Sequence, residues 1–212
     1  AARLSALVDA ASRIGHELRT PMNAILGFGQ LLEMVPMESR PSSFVQQILK
    51  AGRHLLGLIN EVLDFSRIES GTISISLESV QLLDVLNEVV ELAKPLGAER
   101  GIEVISEYDS TQPVQIHADL QRCNQVLINL MSNAVKYNVD NGKVRVKLHR
   151  PEPGRIAIWI EDTGVGIPAD KVDRIFTPFD RLGAESTEIE GTGLGLSFSH
   201  CLAEAMGGTL TY

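Results

Sequence analysis

Glu69-Ser70-Gly71-Thr72-Ile73-Ser74-Ile75-Ser76-Leu77 is the stretch at which the chain changes its period. Upstream of it, apolar residues recur every three or four positions. Downstream, Ile73, Ile75 and Leu77 alternate with polar residues, as in a strand. Glu69-Ser70-Gly71 ends a helix. The junction divides the 212 residues into a helical segment, 1–70, and a mixed segment, 71–212. A chain of this length accommodates one large domain or two small ones.

The upstream segment carries Leu4, Leu7, Ala11, Ile14, Leu18, Pro21, Ile25, Phe28 and Leu32 at alternating steps of three and four. That is the seam of a helix packed on a helix. Met34-Val-Pro-Met-Glu-Ser-Arg-Pro41 breaks it, and Phe44, Ile48, Ala51, Leu55, Ile59 and Val62 form a second stripe. Two amphipathic helices with a short joint predict an antiparallel hairpin. A lone hairpin offers its stripe one partner, so two copies are expected to close a homodimeric four-helix bundle.

The downstream segment predicts strands at 73–77, 102–106, 114–117, 143–148 and 155–160, and helices at 81–99, 119–137 and about 192–206. Gly207-Gly208 precedes a last predicted strand. Strands and helices in this order imply an α/β sandwich with helices on one face of a sheet. The sequence holds no internal repeat and no low-complexity tract.

Apolar residues make up 44% of the chain and the formal net charge is −8. The first value supports packed cores. The second argues against a nucleic-acid partner, because tracking a phosphate backbone needs a basic face. A small anion can still be held by backbone N–H groups, a metal and a few cations. Cys123 and Cys201 lack metal-ligand spacing and read as reduced, packed thiols, which suits a cytoplasmic location. No apolar run reaches membrane-spanning length and no signal peptide is evident, so no membrane contact is expected from this piece. The chain does not start with Met and stops at Thr211-Tyr212 within a predicted strand. It reads as an excerpt of a longer protein, truncated at its C-terminal edge.

A histidine is ordinarily a surface or satisfied core residue, and His54, His117, His149 and His200 take that reading. His16 has more around it. It falls at the outermost heptad position, away from the seam. Gly15 before it costs roughly 1 kcal/mol relative to Ala in a helix interior. Pro21 after it removes one helical hydrogen bond. Glu17 is adjacent, and Thr20 lies one turn on. A carboxylate beside an exposed imidazole can hold one ring nitrogen protonated and leave the other as a nucleophile.

Four further runs stand out. Asn129-Leu-Met-Ser-Asn133-Ala-Val-Lys136-Tyr137-Asn138 sets Asn129, Asn133 and Lys136 on one helical stripe. A solvated polar face is the ordinary explanation, but Asn is a poor interior helix former. An amide oxygen can ligate Mg²⁺, and a lysine can meet phosphate. Asp162-Thr-Gly164-Val-Gly166-Ile-Pro168 follows a predicted strand, where glycine permits a tight turn and close approach to a ligand. Phe176-Thr-Pro-Phe179-Asp-Arg181 comes next. Gly191-Thr192-Gly193-Leu194-Gly195-Leu196 then opens a helix, whose first N–H groups attract phosphate. The spacing is neither a Walker A loop nor a dinucleotide fingerprint.

His16-Glu-Leu-Arg-Thr-Pro21 resembles the H-box of sensor histidine kinases. The other runs resemble, in order, their N, G1, F and G2 boxes, and together the matches span nearly the whole chain. The resemblance implies a dimerisation and histidine-phosphotransfer hairpin followed by a Bergerat-type ATP-binding domain. It implies ATP and Mg²⁺ as ligands. Asp162 would accept a hydrogen bond from the adenine amino group, and Tyr137 would pack on the adenine. Asn133 would ligate Mg²⁺, with Asn129 and Lys136 near the phosphates and Arg181 near the terminal one. Gly164, Gly166 and the run Gly191, Thr192, Gly193, Leu194, Gly195 would approach the nucleotide, and residues 182–190 would form a mobile lid.

The resemblance also implies phosphorylation of His16, with Glu17 orienting the ring and accepting its proton. Transfer to an aspartate of a response-regulator receiver domain would follow, and Thr20 would support removal of that phosphate. Two departures stand out. Gly15 occupies a position that is often Ser in the family, and the family's domain continues past Gly207-Gly208 by one more strand. Two other classes compete. One is a regulatory pseudokinase, disfavoured because no motif position is broken. The other is a non-kinase ATPase, as in type II topoisomerases, mismatch-repair proteins and heat-shock chaperones, disfavoured by the H-box hairpin.

Overall fold

The computed structural model describes residues 22–23, 25–32, 34, 45–50, 52–53, 55–57, 59–60, 63, 74–109, 113–178, 180–183 and 193–212. The chain forms two compact units, Ala1–Ser74 and Ile75–Tyr212.

In the first unit, the described residues of 22–32 and 45–63 are helical. Met22, Val45, Leu49, Ile59 and Leu63 are buried, and Leu56 packs against the cluster of Met22, Ile59 and Leu63. Small residues bring the helices close. A Cβ at Gly29 would stand 2.7 Å from Leu49 Cδ2, and one at Gly52 would stand 2.9 Å from Leu26 Cδ2.

This corrects the expected seam. Ile25, Phe28, Leu32, Ile48 and Leu55 are exposed, Phe28 at 69%. Met22, Leu26 and Gly29 on one helix, and Val45, Leu49, Gly52, Leu56, Ile59 and Leu63 on the other, form a neighbouring stripe with the same steps. That stripe contains the glycines, so it permits the closer approach and is the one buried in the single chain. The remaining members of the predicted stripes lie outside the described residues, apart from Ile59.

The second unit runs β1 (Glu78–Gln81), α1 (Leu82–Ala98), β2 (Glu103–Glu107), β3 (Gln115–Ala118), α2 (Leu120–Lys136), β4 (Lys143–His149), β5 (Ala157–Asp162), a 3-10 turn (Ala169–Arg174) and α3 (Gly195–Ala205). β1 and β3 pair antiparallel. β2, β4 and β5 form a second sheet in that order, β2 parallel to β4 and β4 antiparallel to β5. The strands thus share two sheets rather than one.

Residue parity sorts the larger sheet into two faces. Val104, Val144, Val146, Leu148, Ile158 and Ile160 pack into the core with α1 and α2. Glu103, Glu107, Lys143, Arg145, Lys147 and Glu161 lie on the opposite face. There they pair as Lys143–Glu103 (2.9 Å), Arg145–Glu107 (3.2 Å) and Lys147–Glu161 (2.6 Å). α1 buries Leu82, Val85, Leu86, Val89, Val90 and Ala93, and α2 buries Cys123, Val126, Leu127, Met131, Ala134 and Val135. Each such leucine contributes about 1.5–3 kcal/mol relative to exposure. Cys123 and Cys201 form no disulfide with each other, and burial raises the pKa of Cys123. Among the described residues, no helix is long and apolar enough to cross a membrane.

Two strand expectations shift. Ile75, Ser76 and Leu77 are irregular, because Ser76 N–H donates to Asp119 Oδ2 at 2.9 Å instead of joining a ladder. Residues 209–212 are irregular as well, with Tyr212 Oη accepting from Ile167 N–H at 3.3 Å. The 3-10 turn at Ala169–Arg174 had no counterpart in the sequence reading.

Asp119 caps α2. Its Oδ1 accepts from Arg122 N–H at 3.0 Å, while Oδ2 holds Ser76. The Ser76 bond, then the Arg122 bond, keep this carboxyl below the ordinary aspartate range. A depressed folded pKa gives stability that is present above the unfolded value and lost as pH falls through the folded one. Asp119→Ala should therefore cost about 1 kcal/mol at neutral pH. The gap to wild type should close as pH drops below about 3.9. Urea unfolding followed by the fluorescence of Trp159, which lies on β5, measures both.

Candidate active site

The end of α2 and the end of β5 meet at one side chain. Asn138, only 5% exposed, follows the last turn of α2. Its Nδ2 donates to Ala134 O (3.1 Å) and Lys143 O (3.0 Å), and its Oδ1 accepts from Val139 N–H (2.9 Å) and Thr163 Oγ1 (3.0 Å). Both donors and both acceptor positions of the amide are used. Thr163 Oγ1 in turn accepts from Lys143 N–H at 2.8 Å. The helix end, the first residue of β4 and the turn after β5 are tied together.

That junction places the aspartate and glycine of the turn. Asp162 shares the parity of Ile158 and Ile160, so it stands on the helix-bearing face of the sheet, at its end and exposed. Its Oδ1 accepts from Gly164 N–H at 2.7 Å, which fixes the carboxylate. A Cβ at Gly164 would run into the carbonyl oxygen of Tyr137. The turn can lie on Tyr137 only with glycine there. Gly166 differs: a Cβ would meet nothing within 4 Å, but φ is +69°. Lys136 Nζ stands 5.3 Å from the centre of the Tyr137 ring, a cation–π distance.

Two turns back along α2, Asn129 reaches the start of α3. Its Nδ2 donates to Ser199 Oγ at 2.8 Å, and Ser199 is 1% exposed. A Cβ at Gly195 would stand 2.5 Å from Asn129 Oδ1. Leu194, fully buried, precedes α3, and its own side chain offers the helix start no cap. Its first N–H groups therefore form the kind of helix terminus that attracts an anion. Asn133 lies on α2 between the two ends, partly buried.

The segment around Arg181 is built by its own local bonds. Asp180 Oδ2 accepts from Arg174 Nε at 2.8 Å, and Asp180 Oδ1 accepts from Leu182 N–H at 2.9 Å. The Leu182 bond and then the Arg174 pair hold this carboxyl below its usual range. Lys171 Nζ donates to Leu182 O at 2.6 Å. Leu182 has φ +54°, a left-handed turn just after Arg181, whose Nε is buried. The Phe176 ring lies 4.4 Å from that of His200 on α3.

Tyr137, Asp162 and Gly164 thus converge at the C-terminal end of α2, and Gly193, Leu194 and Gly195 lie by Asn129, two turns back along the same helix. His16, Glu17, Thr20, Gly191, Thr192 and residues 184–190 lie outside the described residues. Asn138, Thr163, Ser199, Arg174 and Asp180 were not singled out from sequence. Asn138 and Thr163 stand inside the quoted runs, but their value lies in a long-range bond that spacing does not reveal.

Helices on one face of a mixed sheet, with one glycine turn against the C-terminal end of α2 and another against its middle, make the arrangement of a nucleotide-type ATPase fold. Family comparison agrees. Residues 118–212 match the histidine kinase-, DNA gyrase B- and HSP90-like ATPase family, and residues 6–71 match the His kinase A phospho-acceptor domain. The chain belongs to the histidine kinases.

It is 37% identical over 205 residues to the autoinducer 2 sensor kinase/phosphatase LuxQ of Vibrio cholerae, covering 94% of this chain and 24% of that protein. It is 35% identical over 207 residues to the cell-division control histidine kinase PdhS of Brucella abortus, covering 92% of this chain and 20% of that protein. The chain spans about a quarter or less of the length of these relatives. Among solved structures, full-length ShkA in complex with AMPPNP superposes with a TM-score of 0.78 at 35% identity, over 94% of this chain and 41% of that one.

Asn138→Ala removes the amide from the junction and leaves its buried partners unmatched. It should cost about 1–3 kcal/mol in urea unfolding. Amide exchange at Gly164 should accelerate with it, measured by hydrogen–deuterium exchange.

Proposed function

We propose that this chain carries out ATP-dependent autophosphorylation of His16 and passes the phosphate to an aspartate of a response-regulator receiver domain. Residues 1–70 would dimerise and carry the histidine, and residues 71–212 would bind ATP. The observation that carries this reading is the placement of Asp162, Gly164 and Tyr137 at the C-terminal end of α2 and of the start of α3 beside Asn129, two turns back along the same helix. An adenine needs a fixed acceptor and a flat face, and a triphosphate needs N–H donors about two helical turns away.

Asp162, oriented by Gly164 N–H, accepts from the adenine amino group, and the Tyr137 ring covers the base. Gly166 and the 191–195 run approach the nucleotide with their backbone. Asn129 and Lys136 face the phosphates, and Arg181 meets the terminal one. Among the described residues no group of three His, Cys, Asp or Glu side chains is placed to hold a metal ion by itself. An amide oxygen supplemented by phosphate oxygens is a donor set that suits Mg²⁺. Asn133 would hold it, and it would supply neutralisation of phosphate charge. His16 is the nucleophile, and Glu17 orients its ring and takes the proton. Thr20, one turn along, would hydrogen-bond the water that removes phosphate from the regulator. The exposed Ile25, Phe28, Leu32, Ile48 and Leu55 form the apolar surface that a second copy would cover.

Incubation with γ-labelled ATP should put acid-labile, base-stable label on His16, and none on His16→Gln. Equal labelling of that variant would place the phosphate elsewhere. In calorimetry, Asp162→Asn should weaken ATP with or without Mg²⁺, whereas Asn133→Ala should weaken it mainly with Mg²⁺. Unchanged affinity in both would remove the nucleotide from this site.

A further inference from the structure

Arg100 belongs to none of the sequence runs, yet its guanidinium holds the end of the helix that carries the Asn129–Asn138 run. It lies in the loop between α1 and β2. Because β2 runs parallel to β4 with Glu103 opposite Lys143, the loops that enter these strands must lie side by side. They are joined by backbone bonds: Asn141 N–H donates to Arg100 O at 3.0 Å, and Glu103 N–H donates to Gly142 O at 2.9 Å. From that position the Arg100 side chain spans the gap to α2. Nη1 donates to Val135 O (3.1 Å) and Lys136 O (3.2 Å), and Nη2 donates to Asn138 O (2.7 Å). Nε donates to Asp140 Oδ1 at 3.0 Å.

The terminal carbonyls of a helix lack intrahelical donors and carry partial negative charge. A guanidinium meets both needs at once, and its rigid fork fixes direction as well as charge. The carbonyls it holds flank Tyr137, whose own carbonyl lies against Gly164. We propose that Arg100 is a positioning residue for the adenine end of the nucleotide site. It fixes the Lys136-Tyr137-Asn138 turn, and through it the face on which the base rests. The proposal builds on the nucleotide reading given above.

Its consequence is selective. The adenine end is common to ATP and ADP, and the metal would be held by Asn133 and the phosphates instead. Arg100→Lys keeps a cation at the helix end but loses the fork. It should weaken ATP and ADP alike by about tenfold, the usual scale for a residue supporting a ligand contact. The loss should appear with and without Mg²⁺. The KM for labelling of His16 should rise, with kcat changed by less than about twofold, as for lost uniform binding.

The measurements are calorimetric titrations of the whole chain with ATP and with ADP, well below the unfolding midpoint of each variant. A folded Arg100→Lys protein with wild-type affinities, even with a lowered midpoint, would show a helix cap and nothing more, and would overturn the proposal. Weakening of ATP but not ADP would overturn it too. If Arg100→Lys does not unfold cooperatively, Asp140→Asn decides, since Asp140 is 73% exposed in its side chain and orients Nε. It should weaken both nucleotides in the same sense by a smaller factor, and no change would refute the role. Wild-type protein that binds no ATP would refute the nucleotide reading itself, an outcome distinct from these.

Discussion

A single buried amide sets much of the second unit. Asn138 ends α2, and an amide removed from water is costly unless each of its hydrogen-bonding positions is met. Meeting them requires the Ala134 carbonyl of the helix, the Lys143 carbonyl at the start of β4 and the Thr163 hydroxyl beyond β5 to converge. These are three separate chain segments, so the amide acts as a joint. Moving any of them leaves a buried donor or acceptor unpaired, at about 1–3 kcal/mol each. Gly142 shows how tight the joint is, since a Cβ there would collide with Asn138 Oδ1.

The sheet transmits this fixed point to the site. β5 pairs with β4 from Ala157 opposite His149 to Asp162 opposite Val144. With the start of β4 held, side-chain parity along β5 is held too, and a slip of one residue would turn Asp162 to the other face. That other face carries the ion pairs of Lys143, Arg145 and Lys147. Lys147 keeps Glu161 ionised, its bond being the main cause of the lowered carboxyl pKa. Exposed pairs of this kind contribute little to stability. Their effect is on register, because turning Glu161 inward would bury a charge against Val144 and Val146 and turn Ile160 outward.

Much of this was legible in the sequence, and the failures have physical causes. The helices at 82–98 and 120–136 announce themselves because apolar residues facing a core must recur at helical spacing. Of the predicted strand at 73–77, the described residues Ile75–Leu77 are irregular, because Asp119 takes the Ser76 amide for a contact 43 residues away. The hairpin stripe was read from the larger side chains, whereas Gly29 and Gly52 choose the packing face by allowing close approach. In the site, residue type and spacing singled out Asp162, Asn129 and Tyr137. The bonds that aim them belong to Gly164, Ser199 and Asn138. Arg100 carries no local signal at all, since its partners lie 35 to 40 positions away.

The glycines of the site show why a motif can be read without its reason. Gly164 and Gly195 are required by space: a Cβ would meet the Tyr137 carbonyl in one case and the Asn129 amide in the other. Gly166 and Gly193 are required by conformation, with φ of +69° and +75°. The first pair are closed contacts between elements, so they exist only once α2, the turn after β5 and α3 have come together. The second pair are local and would be satisfied in the isolated turn. A glycine-rich run therefore encodes two constraints at once, bending the chain and keeping a surface bare for another element. Only the bending can be inferred from neighbouring residues. The bare surface follows from what Asn138 and Arg100 bring against it, which makes the active-site turns a product of the whole unit's topology and not of their own sequence.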